Sequence, residues 1–141
     1  MRIPLYLILG AALAAPIGAS AANFDGKSPV LCATLEAVQC TKAAGSTHAC
    51  ARGLARGLNV PQFVKLDFAK KQVTATRESG VDKTSAIANV ARGNGHLILQ
   101  GVDSASGRGW SLVLEEDSGH MTASAVGDEE GMLVFGACTQ L

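Results

Sequence analysis

From Gln62 onward, short apolar runs alternate with turn signals along the chain. Val64, Leu66 and Phe68 alternate with Lys65 and Asp67, the period-two pattern of a half-buried strand. Lys70-Lys71 makes a polar turn, and Val73 and Ala75 alternate with Thr74 and Thr76 on the return. Glu78 to Lys83, with Ser79-Gly80, reads as the next loop, and Ser85 to Ala91 as a third strand. Arg92-Gly93-Asn94-Gly95 carries the Asn-Gly signal of a tight hairpin, because both central positions of that turn need positive φ. Runs at His96 to Val102, Gly109 to Glu115, His120 to Val126 and Met132 to Cys138 follow, separated by turns at Asp103 to Gly107, Asp117 to Gly119 and Gly127 to Gly131. Upstream, Val30 to Cys40 also alternates, and the pattern predicts about eight strands.

Short strands at this spacing predict a single small all-β antiparallel meander. A closed up-and-down barrel is the expected form, since closure removes exposed edges; a β-sandwich is the alternative. Leu66, Phe68, Val73, Leu97, Leu99, Leu112, Leu114, Leu133 and Phe135 are the expected inward side chains. An eight-stranded barrel is narrow enough for such side chains to fill it. Ser46 to Leu58, with its tandem Ala51-Arg52-Gly53-Leu54 and Ala55-Arg56-Gly57-Leu58, reads as loop with at most a turn or two of helix. Ser46 or Thr47 offers a cap, but two interior glycines disfavour a helix.

The first residues have a different pattern. Met1-Arg2 is a short basic start, Ile3 to Ala15 is apolar and uncharged, and Ala19-Ser20-Ala21 supplies small residues for cleavage. This is the three-part pattern of a secretory signal peptide over residues 1–22, and the run is too short to span a bilayer. Residues 23–61 then hold the first strand and a disulfide loop, and 62–141 hold the meander that completes the same domain. The expected location is the periplasm or the cell exterior of a bacterium, with no stable membrane insertion after cleavage.

All four cysteines, Cys32, Cys40, Cys50 and Cys138, follow the signal segment. An even count in an exported chain implies two disulfides. On one extended strand Cys32 and Cys40 stand roughly 26 Å apart, far beyond the about 4.4–6.8 Å a bridge spans. Of the three possible connectivities two remain, and the expected one is Cys40–Cys50, closing a local loop, with Cys32–Cys138, tying the first strand to the last. No Cys-x-x-Cys occurs, so zinc-type clustering is absent.

Charge excludes one class of partner. The chain carries 12 Lys+Arg and 12 Asp+Glu, whereas a nucleic-acid binder shows a basic patch. Few aromatics remain beyond residue 22 to stack bases. The sequence has no Gly-x-Ser-x-Gly, no P-loop and no Gly-x-Gly-x-x-Gly, and no enzymatic activity or cofactor is expected. His96 and His120 both begin strands after turns at one end of a meander, with Asp117 beside them, so a metal or acid–base group there is the weak site candidate. Glu115-Glu116-Asp117 and Asp128-Glu129-Glu130 fall at opposite ends and read as solvated rims. Trp110, the one tryptophan, is the candidate wall of a ligand site or else a core anchor.

Val60-Pro61-Gln62-Phe63 and Phe135-Gly136-Ala137-Cys138, with His96 to Gly101 and Gly107-Arg108-Gly109-Trp110-Ser111 between them, resemble segments of uncharacterised small exported bacterial β-rich proteins. The resemblance implies an exported β domain and no particular activity. The expected role is a non-enzymatic binding or envelope-support protein whose partner is an unidentified protein or a small apolar ligand. Alternatives are a lipocalin-like carrier of such a ligand and a metal-dependent site at His96 and His120.

Overall fold

The computed structural model describes residues 24–45, 47–76 and 82–141. Residues 1–23, which include the stretch expected to be a signal peptide, Ser46, and Arg77 to Val81 with Glu78 and Ser79-Gly80 lie outside the described residues. The described chain forms ten strands: β1 (Val30–Lys42), β2 (His48–Leu54), β3 (Phe63–Asp67), β4 (Gln72–Thr76), β5 (Asp82–Ala86), β6 (Asn89–Gly93), β7 (His96–Asp103), β8 (Arg108–Glu115), β9 (His120–Val126) and β10 (Glu130–Gln140). All belong to one antiparallel sheet in the order β5-β4-β3-β1-β10-β9-β8-β7-β6, with β2 paired to β1 off that path. Both parts of the domain foreseen from the sequence, 23–61 and 62–141, contribute to this sheet. Among the described residues no helix is long and apolar enough to cross a membrane.

Two differences from the sequence pattern concern strand number. The segment read as loop contains β2, which pairs with the outer half of β1 from Glu36↔Leu54 to Lys42↔His48, and only Ala55–Leu58 winds into a short 3-10 turn. The expected strand Ser85 to Ala91 is split at Ile87-Ala88. Its first half pairs with β4 and its second with β7.

That split also changes the expected closure. The ladder path is open, ending at β5 and β6, so the sheet is an open half-barrel rather than a closed ring of ladders. The two edges are consecutive in the chain, and at the split each ladder is extended by one further hydrogen bond. Ile87 N–H donates to Lys71 O at 2.8 Å and Ala88 N–H to Gln100 O at 2.8 Å. The unpaired edges are thereby short and held close to their neighbours, one way of blunting an edge.

Inward residues follow the period of two. Leu66, Leu97, Leu99, Leu114, Met121 and Cys32 are at most 2% exposed. Leu133 and Phe135, expected inside, instead face outward at 46% and 40% exposure. Both parities of Met132-Leu133-Val134-Phe135 are apolar, so alternation alone cannot choose between them. Gly136 decides. It crosses Thr34 on β1, and a Cβ there would come within 2.2 Å of the Ala33 carbonyl oxygen. Gly136 therefore takes the crowded inner side with Met132 and Val134, and Leu133 and Phe135 take the outer one.

A bulge between Thr34 and Glu36 shifts the register of β1 against β10 and leaves Leu35 exposed. An extra residue in a strand moves everything after it to the other face. Ala37 turns inward, fully buried, and Cys40 outward, although Cys32 and Cys40 have the same parity. Cys32 crosses Cys138 and is bonded to it inside the sheet; Cys40 crosses Cys50 and is bonded to it on the outside. Two disulfides fit an oxidising environment outside the cytoplasm.

The Cys32–Cys138 bridge closes a loop spanning a sequence separation of 106. Replacing both cysteines by Ser is expected to lower unfolding free energy by about 4–5 kcal/mol, the chain-entropy value for a loop this long. Denaturant unfolding under oxidising conditions measures this, and an unchanged midpoint would contradict it.

Candidate functional site

The pairing registers give the sheet two ends. The turns after β3, β6 and β8 lie at the base; the turns after β7 and β9 lie at the mouth. The base is plugged. Phe24 is 1% exposed and lies against Gly119, where a Cβ would come within 2.8 Å of its ring. Arg92 donates to the Phe24 carbonyl at 3.4 Å and pairs with Glu116 at 2.7 Å. Above Phe24, the large side chains of Leu66, Leu97, Leu99, Leu114 and Met121 fill the lower interior.

The upper interior is different because its inward residues are small. Ala75, Gly101, Ala123 and Ala125 occupy positions where the lower rows of the same strands carry Val, Leu or Met. A cavity of about 140 Å³ lies there, walled by Ala75, Ala123, Ala125, Trp110, Met132 and Val134 among others. A neighbouring space of about 160 Å³ shares Pro61, Val73, Ala75, Trp110, Ala125 and Met132 and leads to Lys83, Asp103 and Arg108. The two together approach the lower end of ligand-pocket volumes, about 300 Å³.

Three elements hold this space open. Gly101 crosses Trp110 between β7 and β8, so the indole lies on a strand with no side chain beneath it. Trp110 Nε1 donates to Ser85 Oγ at 2.8 Å, and Ser85 Oγ donates to Val102 O at 3.0 Å, which fixes the ring across the gap between β5 and β7. On the other side Val60-Pro61 folds over the mouth. Val60 is 3% exposed, and Thr34 donates through Oγ1 to Pro61 O at 2.5 Å and through its N–H to Gln62 O at 2.9 Å.

Trp110 is thus at the wall of a cavity. The histidine candidates are elsewhere, on the outer face at the base. His96 crosses Glu115, and His120 Nδ1 lies 3.5 Å from Glu115 Oε2. Glu115, not Asp117, stands between the two histidines, while Asp117 is exposed in its turn. His96 Nδ1 is 2.8 Å from the Asn94 carbonyl. Among the described residues no group of three His, Cys, Asp or Glu is arranged to hold a metal ion. A hydrogen bond from Ser118 Oγ holds the Glu115 carboxyl below its ordinary value, helped by the nearby His120 and His96. At the mouth, Arg108 pairs with Glu130, and Lys42 with Glu129 at 2.6 Å.

No family model and no curated protein matches this chain.

The functional reading therefore rests on geometry. The sequence left a filled interior and a lipocalin-like one both open, because strand alternation reports which side chains point inward, not how much space they leave. The trace of the cavity is the recurrence of Ala and Gly at inward positions near one end of three strands: Ala75, Gly101, Ala123 and Ala125.

Two predictions follow from this arrangement. At Gly101 an added Cβ would lie 2.3 Å from the Ala86 carbonyl oxygen and 2.4 Å from Trp110 Cζ2. Gly101→Ala should cost about 1–3 kcal/mol through overpacking and change Trp110 fluorescence; denaturant titration followed at that fluorophore reads both, and a wild-type curve would refute the placement. For Glu115, Ser118→Ala should raise the carboxyl pKa toward its ordinary value, as followed by carboxyl NMR. Because the folded value is lowered, the stabilising contribution is present above the unfolded value and lost as pH falls through the folded one. An unmoved titration would remove Ser118 as the cause.

Proposed function

We propose that this protein is a non-enzymatic binding protein, exported to the periplasm or the cell exterior, that carries a small apolar ligand inside its curled sheet. The observation that carries this reading is the apolar cavity of about 140 Å³ beside Trp110. Fully packed interiors keep few voids larger than a water molecule. A void here costs stability through lost contacts, on the order of 24 cal/mol per Å³. An apolar cavity of about 150 Å³ stays dry and takes up benzene, so the volume suits a single ring or a short aliphatic chain. The plugged base, the packed lower half and the polar mouth together give the described residues the form of a cup.

Trp110 makes the test direct, because the chain has one tryptophan and it lines the cavity. Benzene titrated into the purified protein should change Trp110 emission saturably and raise the melting temperature, since a ligand bound only by the folded state stabilises it. Ala123→Leu, which fills the space, should abolish both responses. Absence of any response in the unsubstituted protein would overturn the reading.

A further inference from the structure

The mouth of the cavity carries information about the polar end of the ligand, an inference that rests on reading the cavity as a ligand site. Among the described residues three ionisable side chains line the passage from the apolar chamber to solvent: Lys83, Asp103 and Arg108. Asp103 is engaged in its own turn. Its carboxylate accepts from Ser106 Oγ at 2.6 Å and from the Ala105 N–H at 3.0 Å, and the Ser106 bond foremost holds the carboxyl below its ordinary value. The polar groups deeper in the wall, Trp110 Nε1 and Ser85 Oγ, are occupied with each other and with the Val102 carbonyl.

The two cations differ from these. Arg108 directs one terminal nitrogen to Glu130, but a guanidinium has five N–H donors in a planar fork. Its stem packs against Gly127, where a Cβ would lie 3.1 Å from Arg108 Cγ, so the head is held at the rim. The rim acids Asp128 and Glu129 belong to a separate cleft on the far side of Arg108, with Lys42. Among the described residues the passage thus sets two cationic heads, Arg108 and Lys83, against one carboxylate, Asp103, which faces Lys83 and already accepts bonds from its own turn. The donors of the two heads match a planar carboxylate better than a hydroxyl or an ammonium, and arginine can engage it with two parallel bonds.

We infer that the ligand is a small carboxylic acid with one ring, or an aliphatic part of that volume. Its apolar end sits between Trp110, Ala123 and Met132, and its carboxylate lies at Arg108 and Lys83. The cavity volume sets the apolar part and the donor-rich mouth sets the head.

The test compares four probes by calorimetric titration of the whole mature protein: benzene, phenylacetate, 2-phenylethanol and phenethylamine. Phenylacetate is expected to bind at least ten-fold more tightly than the alcohol or the amine, and its advantage should shrink as salt is raised. Arg108→Gln should narrow the acid-to-alcohol ratio about ten-fold. Lys83→Gln, at an exposed position, should narrow it in the same direction and serves if loss of the Arg108–Glu130 pair impairs folding. Equal affinity for acid and alcohol, or tightest binding of the amine, would overturn the carboxylate inference while benzene binding left the cavity reading intact. No binding of any of the four, benzene included, would overturn both.

Discussion

The ladder between β1 and β10 is the constraint on which the rest of the structure depends. It joins the first strand of the described chain to the last from Val30↔Gln140 to Thr41↔Glu130, and it lets β3 and β9 continue the sheet on either side. Without it the meander would be a flat run of short strands with long free edges, a poor way to bury an apolar face. The Cys32–Cys138 bridge sits directly across this ladder and acts mainly on the unfolded chain, by removing its freedom. The bulge at Leu35 then divides β1 into two roles. Its first half closes the core with β3, and its second half, with the faces exchanged, carries the β2 hairpin outside.

Curling of the sheet produces an interior, and the distribution of side-chain sizes decides what that interior does. Leu, Met and Phe at the base give a packed floor, as a small domain needs for stability. Ala and Gly toward the mouth give up part of that packing. Filling such a space is an accessible stabilising change, and these four neighbouring inward positions leave it unmade. The polar fastening of Trp110 through Ser85 to Val102 O and the anchoring of Pro61 by Thr34 hold the walls of this space apart. The lower interior contributes stability, and the upper interior leaves an apolar space beside Trp110.

Much of this was legible in the sequence, and the rest has identifiable reasons for being hidden. Period-two alternation and turn chemistry locate β3, β4 and β7 to β10 within a residue or two, because each half-buried strand repeats a local signal. β2 was invisible as a strand: His48 to Leu54 has small residues and a glycine, and it is ordered by pairing with β1 rather than by its own pattern. The split at Ile87-Ala88 was hidden for a related reason, since a strand that changes partners keeps its alternation. Leu133 and Phe135 were placed inside because four successive apolar residues carry no parity, and a glycine's close approach to Ala33 settled what hydrophobicity could not. His96 and His120 stand at one end of the sheet, with Glu115 rather than Asp117 between them, because facing positions across a ladder matter more than adjacency in the chain.

The central claim is that the upper interior is an apolar, ligand-accessible chamber. A crystal of the mature protein pressurised with xenon tests it most directly, because xenon enters dry apolar cavities. A xenon atom among Trp110, Ala123, Ala125 and Met132 is the predicted result. A chamber collapsed by repacked side chains, or filled with ordered water, would contradict it.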